Sequence, residues 1–191
     1  MKPATLLISA ATALCSQTAY LLRHGEKPPG EFAIGLSAEG KQRAQCLRSV
    51  FGARSLCNIG CIIVPKYESD GSGRRSYDTV SPLAADLGLT INTPCGRDDS
   101  ECVAKAVREY TGSGNILICW EHKRLRNIAE DLGADAVGKY PVDRFDVIWT
   151  DPHPYTEITS ATSEKCPGLD EQWEDGLSTL SQKTLLEYDY L

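Results

Sequence analysis

Along most of the chain, short apolar runs alternate with segments whose apolar residues recur every three or four positions. The runs Ala19-Tyr20-Leu21-Leu22, Ile59 to Val64, Asn115 to Trp120 and Phe145 to Thr150 have the length and boundaries of buried strands. Between them, Ser37 to about Phe51, Arg75 to Leu87, Glu101 to Tyr110 and His122 to Leu132 read as helices. Ser37 suits an N-cap because its hydroxyl accepts an orphan backbone N–H. Gly88 and Gly133 suit helix ends. Asn92 to Ser100 reads as a polar loop, and Tyr155 to Thr159 as a candidate further strand. From Ser160 the chain turns polar and weakly patterned, so an irregular tail is expected. Strands separated by helices predict an α/β fold: a three-layer αβα sandwich whose mostly parallel central sheet is covered on both faces.

The 191 residues suit one domain with a real core, without a repeat, a low-complexity tract or a linker. A net charge of −6 argues against a broad nucleic-acid surface, but it leaves room for a local cationic pocket. No long charge-free apolar stretch follows the N-terminus, so no membrane span is expected there. The N-terminus itself has the pattern of a secretory signal. Lys2 precedes the apolar run Leu6 to Cys15, and Ala13-Leu14-Cys15 suits a cleavage site. Residues 1–16 are therefore expected to be removed, leaving residues 17–191 as a secreted, extracellular domain. The alternative is an N-terminal helix over residues 4–14.

Cysteine usage points to the same compartment. The spacings of Cys15, Cys46, Cys57, Cys61, Cys95, Cys102, Cys119 and Cys166 form no paired zinc pattern. Cys119, inside an apolar run, reads as a buried free thiol. Without Cys15, up to three disulfides remain available, as in proteins of oxidising compartments. Cys95 and Cys102 are the expected pair; the pairing of Cys46, Cys57, Cys61 and Cys166 stays open.

Candidate chemistry begins at Arg23-His24-Gly25-Glu26, directly after the first apolar run. Taken alone, this tetrapeptide fits a surface ion pair as well as a binding site. Two further placements change that balance. Arg75 opens the helix after the second strand, and His122 comes two residues past the strand that ends at Trp120. In a doubly wound sheet the carboxyl ends of such strands converge on one crevice. Two arginines and two histidines there make an anion pocket, to which helix N-termini add backbone donors. Such a pocket suits phosphoryl transfer, in which catalysis is mainly positioning and charge stabilisation. A neutral His24 ring can attack phosphorus as a nucleophile. Arg23 and Arg75 then hold the oxygens and His122 donates a hydrogen bond. No metal or cofactor is needed, and the expected partner is a small phosphorylated substrate or inorganic phosphate.

Leu21-Leu22-Arg23-His24-Gly25-Glu26 resembles the signature of the histidine phosphatase superfamily, in the branch that contains the phosphoglycerate mutases. Leu36-Ser37-Ala38-Glu39-Gly40-Lys41-Gln42-Arg43-Ala44 is similar to that family's L-[ST]-x-x-G-x-x-Q-A helix. Arg75-Ser76-Tyr77-Asp78-Thr79 is similar to its second arginine motif, and Cys119-Trp120-Glu121-His122 stands at the second histidine. The resemblance covers about residues 18–150. It implies that His24 is the phosphorylated nucleophile, with Arg23, Arg75 and His122 completing the phosphate pocket.

Three departures bear on substrate choice. Lys123 stands where the family has Gly, Glu121 replaces a small or hydroxylated residue, and Val64-Pro65-Lys66-Tyr67 replaces an S-P stretch. The leaving-group acid must be a protonated carboxyl within reach of the leaving oxygen. Glu121 is one candidate; Asp98, Asp99 and Glu101 are others, and these three read equally well as solvated loop charges. Glu26 reads as a helper or a surface residue, Arg74 as solvent-facing or paired with a carboxylate, and His153 as a loop residue. Trp120, Trp149 and Trp173 read as packing. The expected activity is metal-independent phosphomonoester hydrolysis. The alternatives are a phosphoglycerate-mutase-type transferase and a non-catalytic anion-binding protein.

Overall fold

In the computed structural model, which describes residues 17–30, 33–71 and 73–170, each of the four apolar runs becomes a strand. The expected signal at residues 1–16, and Trp173, lie outside the described residues. The strands are β1 (Thr18–Arg23), β2 (Ile59–Ile63), β3 (Ile91–Asn92), β4 (Asn115–Trp120), β5 (Val147–Pro152) and β6 (Ser160–Ser163). The helices are α1 (Ala38–Val50), α2 (Arg75–Leu87), α3 (Ser100–Glu109) and α4 (His122–Leu132). The sheet order is β3-β2-β4-β1-β5-β6. The links β3–β2, β2–β4 and β4–β1 are parallel, while β5 and β6 add an antiparallel edge.

Both faces of this sheet are covered, which is why its central strands read as apolar runs rather than as an alternation. On one face Leu22, Ile62 and Leu117 pack with Leu47 of α1, Phe51 at its end, and Val80 and Leu83 of α2. On the other, Leu21, Ile118 and Trp149 pack with Val103 and Val107 of α3 and Leu125 and Ile128 of α4. Trp120 and Trp149 are core residues, as expected. The helix ends also follow the sequence reading. The Ser37 hydroxyl accepts the Gly40 N–H at 3.1 Å, and Gly88 closes α2 at φ 65°. Among the described residues, no helix is long and apolar enough to cross a membrane.

Three expectations are corrected. The segment from Ser160 is not an irregular tail: residues 160–163 form β6, with Thr162 opposite Ile148 and Ser160 opposite Thr150. An edge strand of Ser, Ala and Thr that is half-exposed carries no apolar signature. Residues 155–159 are the turn that leads into it, and the preceding strand runs over 147–152 rather than 145–150. The described cysteines form two disulfides, within the three available, Cys46–Cys166 and the expected Cys95–Cys102. Cys57 and Cys61 stay free because they lie on opposite faces of the sheet, Cys61 with α3 and α4 and Cys57 with α1 and α2. Cys119 is the buried thiol expected, and burial pushes its pKa up.

Cys46–Cys166 spans 120 residues and Cys95–Cys102 only 7. Replacing the first pair by serine is expected to cost roughly 2–5 kcal/mol, and the second pair less, because loop-closure entropy grows with loop length. Urea unfolding midpoints of the two double variants test the order.

Candidate active site

β1 and β4 are adjacent and parallel, with Arg23 opposite Trp120, so both chains leave the sheet at the same edge. The His24 N–H extends the ladder by one bond, to the Trp120 carbonyl at 3.1 Å. One strand end therefore presents Arg23 and His24 while its neighbour presents Glu121 and His122. Arg75, at the start of α2, comes in over the loop from β2, the strand on the far side of β4.

His24 is buried, and its Nδ1 lies 2.8 Å from the Gly25 carbonyl oxygen. A carbonyl only accepts, so Nδ1 carries the proton and the Nε2 lone pair is left over. Burial, reinforced by the charges of Arg23, Arg75 and His122, pulls the His24 pKa down to about 4. The ring is thus neutral at physiological pH. The loop that carries it is pinned on two sides. Gly25 N–H donates to Thr79 Oγ1 at 2.8 Å, and that hydroxyl donates to the Arg75 carbonyl at 2.7 Å. The other side is the start of α1: a Cβ on Gly25 would stand 3.0 Å from the Gly40 carbonyl oxygen. Glycine at both places lets the backbones touch.

The cations are braced by the rim of the crevice. Arg23 lies 3.7 Å over the Phe145 ring and donates through Nη1 to the Val142 and Arg144 carbonyls. Its Nε is buried without a hydrogen-bond partner. Arg75 donates through Nε to the Gly35 carbonyl at 3.1 Å and through Nη2 to the Ala33 carbonyl. His122 Nδ1 lies 3.2 Å from Glu121 Oε1, within ion-pair range but without a hydrogen bond. Burial and then Arg23 lower the His122 pKa, Lys123 and Lys27 add to this, and Glu121 opposes it.

The structure thus brings Arg23, His24, Arg75, His122 and Glu121 together. It turns the other acids away from the crevice or gives them separate partners. Asp98 is exposed and held below the usual carboxylate range by Arg97 at 2.9 Å, with Arg124 at 2.8 Å. Asp99 caps α3 by accepting the Cys102 N–H, and Glu101 is exposed in the first turn of α3. Arg74 pairs with Asp78 at 2.9 Å. His153 packs edge-on against Tyr155, just past the end of β5 that lies opposite the start of β1.

One group of residues was not anticipated as a unit. Arg43 of α1 is 2 % exposed, and its guanidinium meets three carboxylates. Glu26 takes Nε and Nη2, with Nη2 at 2.7 Å. Glu164 takes Nη1 at 2.7 Å and Asp170 takes Nη2 at 2.8 Å. Glu164 and Asp170 belong to the segment that Cys46–Cys166 ties to α1. The available signal was local: Arg43 stands at the Gln position of the motif L-[ST]-x-x-G-x-x-Q-A. Glu164, Cys166 and Asp170 are clustered as metal ligands can be, but Arg43 fills the centre and the Cys166 sulfur is in a disulfide. Burial, against the pull of Arg43, raises the Glu164 pKa to about 8. Its Oε1 has no hydrogen-bond partner.

No family model matches this chain, and no curated protein matches it in sequence. Solved structures match in fold. The protein histidine phosphatase SixA complexed with tungstate aligns with a TM-score of 0.55 at 14% identity, over 78% of this chain and 97% of its own. A protein from Agrobacterium tumefaciens, named as phosphohistidine phosphatase SixA, aligns at 0.54 and 13%, over 77% and 97%. A third of the same name, from Nakamurella multipartitia, aligns at 0.50 and 9%, over 77% and 95%. At these identities the likeness is one of architecture.

The raised Glu164 pKa has a signed consequence for stability. Between about 4.5, its ordinary value, and about 8, the folded chain holds a proton that the unfolded chain has lost. This contribution is fully present below that window and is lost as pH rises through it, on the order of a few kcal/mol. His24, depressed from 6.5 to about 4, acts in the opposite sense, costing stability as pH falls through that range. Glu164→Gln isolates the first effect. Relative to wild type, it is expected to gain stability steadily from pH 5 to pH 8 in chemical denaturation; a constant difference would contradict the assignment.

Proposed function

We propose that this chain is a metal-independent phosphatase that hydrolyses a phosphomonoester through a phosphohistidine intermediate on His24. One observation carries the reading: adjacent parallel strands set a neutral histidine with a spare Nε2 lone pair beside Arg23, Arg75 and His122. A buried Arg23 Nε and a buried His122 Nδ1, both without hydrogen-bond partners, further suit a site that receives an oxyanion. The shared architecture with SixA, solved with tungstate, a tetrahedral oxyanion, supports the same ligand chemistry.

In this mechanism the His24 Nε2 lone pair attacks phosphorus, and the bond from phosphorus to the leaving oxygen breaks. Arg23 and Arg75 offset the charge on the phosphoryl oxygens, with His122 as a further donor. Glu121, the carboxyl closest to His122, is the candidate that protonates the leaving oxygen. Water then attacks phosphorus and passes a proton to the Glu121 carboxylate, the N–P bond breaks, and inorganic phosphate leaves with His24 neutral again. The neutralising charges come from side chains, so the step needs no metal ion. The expected setting is extracellular, after removal of residues 1–16; the two disulfides suit that compartment.

A second substrate, a phosphorylated histidine side chain, is favoured by the engagement elsewhere of the neighbouring acids other than Glu121. Glu26 is held by Arg43, Asp98 by two arginines and Asp99 by a helix N-terminus. A phosphorylated imidazole leaves as neutral imidazole once its remote ring nitrogen has taken a proton from solvent, so it asks less of a protein acid than an alkyl phosphate does. The phosphoglycerate-mutase-type transferase and the non-catalytic anion-binding protein are the remaining alternatives, and turnover decides against the latter.

Wild-type protein is expected to hydrolyse p-nitrophenyl phosphate and a phosphoramidate across pH 4–8, with activity retained in a chelator. His24→Ala is expected to lower kcat by at least ~10³-fold, as loss of a covalent nucleophile does. Full turnover in that variant rules out the nucleophile, and phosphate binding without wild-type turnover identifies a binding protein. Because His24 stays neutral down to about pH 4, its protonation is expected to limit kcat/KM only near or below that pH. An acidic limb with a midpoint near 6.5 counts against the buried, neutral nucleophile.

A further inference from the structure

We infer that Arg43 is a positioning residue for the nucleophile: acting through Glu26, it fixes the loop that presents His24. This rests on the reading of His24 as the nucleophile. Glu26 lies two residues beyond His24, and its carboxylate spans the Nε–Nη2 edge of the guanidinium, at 3.0 and 3.1 Å to Nε and 2.7 Å to Nη2. Such two-point contacts fix orientation as well as distance. The guanidinium cannot swing away with Glu26, because its other edge is held. Nη1 donates to Glu164 Oε2 at 2.7 Å, and Nη2 to Asp170 Oδ1 at 2.8 Å. Helix α1 and the disulfide-tied segment 164–170 thus clamp one end of the Glu26 side chain.

The backbone of the same loop completes the clamp. The Glu26 carbonyl accepts the Ser37 N–H at 3.0 Å, and Gly25 N–H reaches Thr79 Oγ1. Gly25 O, between these two anchors, is the oxygen that holds His24 Nδ1. Moving Glu26 therefore moves the acceptor that sets which ring nitrogen is protonated. Stability alone does not account for this cluster, since buried ion groups add little over apolar packing of the same volume. Holding a reacting ring in place does account for it, because small misplacements of a reacting group cost up to roughly 100-fold in rate.

The test is Glu26→Ala, which cuts the link to the loop and leaves Arg43 paired with the Asp170 carboxylate and hydrogen-bonded to Glu164. Two readouts are taken below the melting temperatures of both proteins: p-nitrophenyl phosphate kinetics and ¹⁵N NMR of the His24 ring. The expected result is a kcat lowered roughly 10- to 100-fold with KM within about twofold. It is accompanied by a mixed tautomer in place of the Nδ1–H form. Glu26→Gln, which keeps an acceptor for Arg43, is expected to recover most of both signals, and it carries the test if the alanine variant does not fold. Unchanged ring signals overturn the inference whatever happens to kcat: a rate loss without a ring change means that Glu26 acts chemically. A wild type without turnover defeats the phosphatase reading instead, and the NMR comparison still decides the role of Arg43.

Discussion

The parallel pairing of β1 with β4 is the constraint on which the rest of this structure depends. It sets two strand ends side by side, so residues almost a hundred positions apart in sequence share one crevice. On the other side of β1, antiparallel β5 approaches from the opposite direction. Its entry loop, residues 142–146, therefore runs past the end of β1, where Val142, Arg144 and Phe145 receive Arg23. A shift of one residue in the register of β1 would send Leu21 and Leu22 to the wrong faces. The cores above and below the sheet thus hold His24 to its place as firmly as any contact it makes itself.

The crevice and the Arg43 cluster are opposite electrostatic problems with one kind of solution. The crevice gathers cations, and the Arg43 cluster gathers three carboxylates around one cation. In each, burial makes a further like charge costly, and one titratable member gives up its charge. In the crevice His24 loses its proton, and in the cluster Glu164 keeps one. The first neutralisation leaves a lone pair for chemistry. The second lets two ionised carboxylates and a guanidinium sit together in the interior. Glu26 is where the two regions meet.

What the sequence made legible was local. Apolar runs marked the central strands, Ser37 and Gly88 marked helix ends, and the strand-then-cation pattern marked Arg23, His24, Arg75 and His122. Each of these depends on neighbours within a few residues. What escaped depended on partners far along the chain. Ser160 to Ser163 carries no apolar alternation, because its identity as a strand comes from β5. Glu164 and Asp170 look like ordinary surface acids until the distant Arg43 is set between them. Cys46 and Cys166 gave no spacing cue for the same reason, whereas Cys95 and Cys102, seven residues apart, did.

The long separation within the Arg43 cluster has a consequence for how the protein is made. Arg43 precedes Glu164 by 121 residues and Asp170 by 127. A ribosome delivers the arginine and its first partner, Glu26, early, and the other two partners only after every strand of the sheet has been synthesised. Until then α1 carries a cation with one counter-ion on a face meant for burial, and only its apolar contacts, such as Leu47, hold it to the sheet. The nascent chain thus holds His24 on a half-anchored loop through most of translation. It gains a fully held one only when the last strand and the segment after it arrive.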